Sequence, residues 1–335
     1  MKNKPSKQPK KQNKGVKKNK KQYKVRNWRE YNQALVNRGN VELWVSEEAL
    51  QKWVEDFKSG KKRNRGKPRL YSNSAIETAL TIQQVFHLTL RQTEGFLTSI
   101  LKRIGSNRAS PDYSTLSIRG KTLPVHLRTR AVNGEPLHIV IDSTGAKVYG
   151  EGEWKVRKHG WSKHRTWKKL HIGADETTGD ILLGEVTDND TADCEVLESL
   201  LEQIPEETPV GQVSADGAYD KRMCYAALKK KGIEHVAIPP QHNAKIWRHG
   251  NTKAESFIRD ENLRRIRKLG RKHWKQEIHY HRRSLAETAM FRLKTIFTDK
   301  VQARIHANQR VQLLLRCKAL NRMTMLGMPD SYIVA

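Results

Sequence analysis

Between Trp28 and about Gly105, apolar side chains recur every three to four residues, the interval of helices that bury one face. Within this stretch SEEALQKWVEDF, Ser46 to Phe57, begins with a serine able to cap a helix and two glutamates that complement its positive end. A basic loop punctuated by Gly and Pro, Lys58 to Arg69, separates it from AIETALTIQQVFH. Ser72 or Ser74 can cap that second helix, whose Ile76, Leu80 and Ile82/Val85 form an apolar stripe. Leu88 to Gly105 is helical again, around a tight step at Thr89 and Leu90. Two helices on so short a link have the outline of a helix-turn-helix, an outline that ordinary helix pairs share. Ser110 to Arg119 reads as an extended arm or a further short helix.

At Pro136 the period changes. PLHIVID, Pro136 to Asp142, is a short apolar run bounded by turn residues and predicts a buried strand. Trp167 to Val186 predicts two strands joined at Thr-Thr-Gly. Asp193 to Ile204 places Val196, Leu197, Leu200 and Leu201 at helical spacing, with Thr191 or Asp193 as cap. Val210 to Gly217 predicts a strand, Asp220 caps a helix that ends at Lys231 and Gly232, and His235 to Pro240 predicts another strand. A polar, basic stretch with few apolar anchors covers about 241–272, and two long helices, about 273–297 and 304–326, complete the chain. This order predicts an α/β domain with a mixed sheet and a polar insertion over residues 131–335, preceded by a helical domain over 27–130.

Charge narrows the choice of partner. The 335 residues carry 64 Lys+Arg against 35 Asp+Glu, a net +29, which suits a polyanion and poorly suits a cationic partner. Residues 1–26 hold 12 Lys or Arg and no acid; such a tail cannot bury apolar surface and is expected to be disordered alone. Taking those 12 from +29 still leaves +17 on residues 27–335. Cys194, Cys224 and Cys317 are widely spaced, which indicates neither a disulfide framework nor a zinc knuckle and points to a reducing compartment. No apolar run is long enough to span a bilayer, and no secretory signal is visible. A cytoplasmic, nucleoid-associated protein with no membrane partner is expected.

Three acids stand out. Asp142 ends HIVID and precedes Ser-Thr-Gly; Asp216 ends QVSAD and precedes Gly-Ala-Tyr. Strand ends hold polar side chains rigidly at a crevice, and Gly145 and Gly217 leave room beside each carboxylate, although an aspartate after a strand is also a common turn former. The third is Glu287 in HYHRRSLAETAMFRLK, His279 to Lys294. On a continuous helix, at about 100° per residue, Tyr280, Arg283, Glu287 and Lys294 fall within an arc of roughly 60°. Taken alone, Arg283 and Glu287 fit an ordinary i,i+4 ion pair at least as well.

Asp142, Asp216 and Glu287 lie 74 and 71 residues apart, and Tyr280, Arg283, Glu287 and Lys294 match a Y-x2-R-x3-E-x6-K signature at every position. From Trp28 to the C-terminus the chain resembles the DDE transposases of bacterial insertion sequences, specifically the insertion sequence 5 family with its insertion sequence 4-like DDE domain. The resemblance implies a ribonuclease H-like mixed-sheet catalytic domain, with Asp142 on the first strand, Asp216 on the fourth and Glu287 on a late helix. A helical, helix-turn-helix-like DNA-binding domain precedes it. It also implies the activity: binding of terminal inverted repeats, cutting at the element's end by water to free a 3′-OH, and transfer of that 3′-OH to target DNA. Three carboxylates with no nearby Cys/His set favour Mg2+ (or Mn2+) over Zn2+, and two ions about 3.5–4 Å apart suit in-line displacement at phosphorus. Asp142, Asp216 and Glu287 are then the catalytic metal ligands, with Arg283 and Lys294 on nearby phosphates and Tyr280 packed close by. The partners implied are double-stranded DNA, as repeat ends and as target, and a second copy of the chain in a homodimeric synaptic complex.

Other groups carry weaker signals. Glu151 to His171 joins three Trp to ten Lys, Arg or His, a mixture that suits stacking and phosphate contact. Arg157, Lys158, Lys163 and Arg165 are its candidate DNA-binding residues, whereas Trp167 is expected to be buried beneath the hairpin. Trp247, with His249, is a candidate for approaching a distorted base. Asp188, Asp190 and Asp193 lack the Gly and distal Glu of a calcium loop, and His159, His164 and His171 lack a zinc spacing. Glu277 lies roughly 80° off the Glu287 face. Two rival functions stay open: a ribonuclease H-like DNA nuclease or resolvase without strand transfer, and a catalytically inactive DNA-binding regulator.

Overall fold

A computed structural model describes residues 22–54, 70–127, 135–148, 167–248 and 256–334. After a short strand, β1 (Gln22–Val25), come helices α1 (Trp28–Asn37), α2 (Val41–Trp44) and α3 (Glu47–Gln51). Ser46 caps α3 by accepting from the Ala49 N–H at 3.3 Å. Ser72, not Ser74, caps α4 (Asn73–Val85), accepting from the Ala75 N–H at 3.1 Å. Thr89 and Gln92 cap each other's backbone N–H at the start of α5 (Leu90–Arg103). Asp112 caps α6 (Tyr113–Gly120), so the stretch from Ser110 is a helix start and not an extended arm.

The sheet follows the expected order. Strands β2 (Leu137–Val148), β3 (Trp167–Asp175) and β4 (Ile181–Asp188) are antiparallel neighbours. Helix α7 (Leu197–Glu202) leads to β5 (Val210–Ser214), and α8 (Arg222–Lys230) leads to β6 (His235–Ala237). The sheet order is β4-β3-β2-β5-β6, with β5 parallel to β2 and β6 parallel to β5. This is a ribonuclease H-like mixed sheet preceded by a helical region. The chain closes with α9 (Ile258–Leu269), α10 (Arg271–Glu277), α11 (Ser284–Phe297), β7 (Lys300–Val301), α12 (His306–Leu326) and β8 (Ser331–Val334), the last pairing antiparallel with β1.

Two of the predicted elements near the C-terminal end come out differently. The second half of the polar stretch 241–272 forms α9, fastened by charge where apolar anchors are few. Buried Asp260 accepts from the Trp247 and Arg248 N–H groups, each at 2.9 Å. Buried Arg259 donates twice to Asp220, at 2.6 and 3.2 Å. Asp220 is thereby committed to Arg259, and Lys221 takes the cap position of α8. The long helix expected at about 273–297 is broken. His279 turns left-handed (φ 53°, ψ 30°), and Tyr280–Arg283 form a separate 3-10 turn between α10 and α11.

Both faces of the sheet are covered. Helices α11 and α12 pack on the face of Ala146, Leu170, Ile172 and Val186, and α4 and α6 pack in turn on α12 with α5 against them, so the helices before the sheet join one core with it. On the other face α7 and α8 cover Ile139, Ile141, Leu183 and Val213. Helix α12 approaches β4 so closely that a Cβ on Gly184 would meet Leu314 Cδ2 at 2.8 Å, so any larger residue there would have to displace that side chain. Among the described residues no helix is long and apolar enough to cross a membrane.

Candidate active site

An interruption in the pairing of β2 makes the site. Strand β3 covers one edge of β2 from Ile139 to Lys147. On the opposite edge β5 pairs only as far as Val140, and β7 begins at Lys147. Among the described residues, 141–146 therefore have no strand partner on this edge, between two parallel partners. Asp142 lies at the start of this gap, inside the strand and not at its end as expected. Asp216 lies just past the end of β5, on the same opening, and its Oδ1 accepts from the Ala218 N–H at 2.8 Å.

The break at His279 delivers the third acid. The 3-10 turn is pinned on several sides: Gln212 Nε2 donates to the Ile278 carbonyl at 3.1 Å, Arg282 pairs with buried Glu176, and the Tyr280 ring stacks on Trp274 with centroids 6.5 Å apart. Held this way, Arg283 reaches back to the sheet. Its Nη1 donates to Asp142 Oδ2 at 2.9 Å while its Nη2 donates to Glu287 Oε1. The i,i+4 pair thus exists, and it is one half of a bridge between two of the candidate acids.

Asp216 enters the same cluster electrostatically. Burial pushes the Asp142 pKa up; the Ser143 N–H and Arg283 pull against it, while Asp216 and Glu287 push further up. Burial opposes the charge of Arg283, but Tyr280, Asp142, Glu287 and Asp216 outweigh it and raise its pKa. Acids from a strand, a strand-end turn and a helix therefore act on one guanidinium. Tyr280, beside it, has its pKa raised chiefly by burial, which keeps the phenol protonated.

The other candidates divide. Lys294, further along α11, is half-buried and joins no ion pair among the described residues. Arg157, Lys158, Lys163 and Arg165 lie outside the described residues. Trp167 is 40% exposed and not buried, because it sits at the rim of β3 over Gly145. Trp247 is half-buried and packed against protein groups. The Arg259 guanidinium lies 3.9 Å and that of Arg222 5.4 Å from its ring, and Tyr225 and Phe257 meet it edge-on. Asp193, which the sequence offered as a helix cap, instead accepts from Ser143 Oγ at 2.8 Å, one residue from Asp142. No spacing rule connects residues 143 and 193; only the fold does.

The donor set suits a hard divalent cation, since all three acids offer carboxylate oxygens. Among the described residues no three acid, His or Cys side chains stand close enough to enclose a metal as they are. The Arg283 guanidinium stands between Asp142 and Glu287 and donates to both. The Glu287 side chain is 55% exposed, so it can turn toward the sheet without losing buried contacts.

Two family models, both described as Transposase DDE domain, match the chain, one over residues 36–151 and the other over residues 133–322. The second spans more than half of the chain and contains Asp142, Asp216 and Glu287.

Proposed function

The chain belongs to the DDE transposases, and on that premise we propose that it is the transposase of an insertion sequence of the insertion sequence 5 group. It binds the terminal inverted repeats of its element as double-stranded DNA and catalyses both cleavage and strand transfer. DDE transposase domains use divalent metal ions; here the reading is two Mg2+ (or Mn2+), held by Asp142, Asp216 and Glu287, in a homodimer that brings two ends together in the cytoplasm. The observation that carries it is the convergence on Arg283, which joins Asp142 on the sheet to Glu287 on α11 within the field of Asp216.

Ions bound at the acids supply Lewis-acid stabilisation of charge at the scissile phosphate. The chain's own residues do the rest. The edge of β2 beside Asp142, where neither β5 nor β7 pairs, is where the DNA strand approaches in this reading. Arg283, released from the carboxylates, turns its fork to a phosphate, where planar bidentate contact is strongest. Tyr280 offers its proton as a hydrogen-bond donor, and Lys294 neutralises a phosphate further along α11. In the first step water oxygen bonds to phosphorus as the P–O3′ bond breaks, and the 3′ oxygen leaves as a hydroxyl. In the second that hydroxyl attacks a target phosphate and displaces a new 3′ end.

Asp142→Ala, Asp216→Ala and Glu287→Ala are each expected to abolish metal-dependent cleavage of a repeat-end duplex while leaving its binding within a few-fold of wild type. Wild-type protein given pre-cut 3′ ends and a target plasmid is expected to yield joined product. Hydrolysis without joining would identify the nuclease reading instead, and full activity in any one variant would remove that acid from the site.

A further inference from the structure

We propose that Asp193 is a positioning residue that holds Asp142 and Asp216 at their working separation across the open edge of β2. The proposal rests on the reading above that these two acids hold the metal. In the β2–β3 register Ser143 pairs with His171 and Gly145 with Lys169. Alternate residues of a strand share a face, so Ser143, His171 and Lys169 project together, opposite Asp142. Over that face lies the 3-10 turn Asp193–Glu195. Asp193 Oδ2 accepts from Ser143 Oγ at 2.8 Å, while Oδ1 lies 3.3 Å from Lys169 Nζ and 3.9 Å from Nδ1 of the fully buried His171. Lys169 Nζ also donates to the Thr191 carbonyl at 2.8 Å, which fixes the turn that carries Asp193.

The same turn packs against the one that follows Asp216, Gly217–Tyr219. Tyr219 in that second turn is fully buried, and its hydroxyl has no hydrogen-bond partner among the described residues. After burial itself, Asp193, Asp216 and Asp142 are the charges that act most on it. Asp193 is therefore tied to the strand of Asp142 and carried by a turn that packs against the turn of Asp216. Such a tie is needed because, among the described residues, 141–146 are held by a strand on one side only, while the acids at the gap repel one another.

The test is Mn2+ affinity of the DNA-free full chain, measured by electron paramagnetic resonance beside a thermal melt, for Ser143→Ala, Asp193→Ala and the double variant. Each single variant is expected to bind Mn2+ about tenfold more weakly, in keeping with substitutions one layer behind a metal ligand. The double variant is expected to lose no more than either single one, because both cut the same tie. Cleavage is expected to recover at saturating Mn2+, a shift in metal requirement and not in limiting rate. Wild-type affinity in the folded Ser143→Ala and Asp193→Ala proteins, with only a lowered melting temperature, overturns the proposal; so do losses that add in the double variant. Asp142→Ala, run alongside, distinguishes the two failures: if it too binds Mn2+ like wild type, the assignment of the metal to these acids is what has failed. Ser143→Ala removes a single hydroxyl oxygen, so the test stands even where Asp193→Ala does not fold.

Discussion

A guanidinium clamped between two carboxylates is a cation that another cation can replace. Arg283 is nearly enclosed, with 21% of its side chain exposed, and so is Asp142 at 16%. Removing the guanidinium leaves a desolvated carboxylate among two others, so Arg283→Ala is expected to destabilise the metal-free protein by roughly 1–3 kcal/mol, the scale of a hydrogen bond to a charged group. Mn2+ is expected to raise the melting temperature of Arg283→Ala more than that of wild type, while cleavage is expected to fall with loss of the phosphate contact proposed for Arg283. Melts with and without Mn2+ check this, and equal shifts in the two proteins would mean that Arg283 does not stand where the ion goes. Arg283→Lys keeps the charge but not the fork that spans two acids. The spacing of Arg283 and Glu287 was legible in the sequence because both lie in one short segment. That the same guanidinium reaches Asp142, and that Asp193 reaches Ser143, was not, because such contacts depend on how distant strands and turns are stacked.

At the scale of elements, the break at His279 matters most. Periodicity joined residues 273–297 into one helix because no glycine or proline interrupts them near the break and the apolar spacing continues on either side. The left-handed residue there is a histidine, which carries a steric cost that glycine would not. The four signature residues consequently do not share one helical face: Tyr280 and Arg283 belong to the 3-10 turn, Glu287 and Lys294 to α11. His279→Gly is expected to gain about 1 kcal/mol in urea denaturation with cleavage kept. His279→Val, branched at Cβ and ill-suited to positive φ, is expected to lose at least as much and to slow cleavage more than it weakens DNA binding. The opposite order of stabilities would show that the turn is not set by this backbone angle. Helix α9 escaped the sequence pattern for a different reason: its anchors are Arg259 and Asp260, and a pattern of apolar residues does not register buried ion pairs.

For the whole molecule, the succession of strands and helices along the chain and the mixed character of the sheet were legible, because a hairpin followed by two strand–helix units has few compact solutions once crossovers are right-handed. The sharing of one core between the early helices and the sheet was less so, since the sequence shows that a helix has an apolar face but not what covers it. Charge acts at this scale too. Residues 1–21 carry ten lysines and no acid, a composition with little apolar surface to bury. Deleting residues 1–21 is therefore expected to leave the melting temperature unchanged and to act on DNA affinity alone. Each phosphate neutralised by the tail contributes about 0.9 to the slope of log K against log salt, so losing five contacts would flatten that slope by roughly 4–5. The loss in affinity should be greatest in dilute salt and should shrink as salt rises, while cleavage of DNA already bound keeps its rate. Binding isotherms of full-length and shortened chain across a salt series decide it. Parallel slopes would mean that the tail neutralises no phosphate, and that the +17 carried by residues 27–335 supplies the electrostatic grip without it.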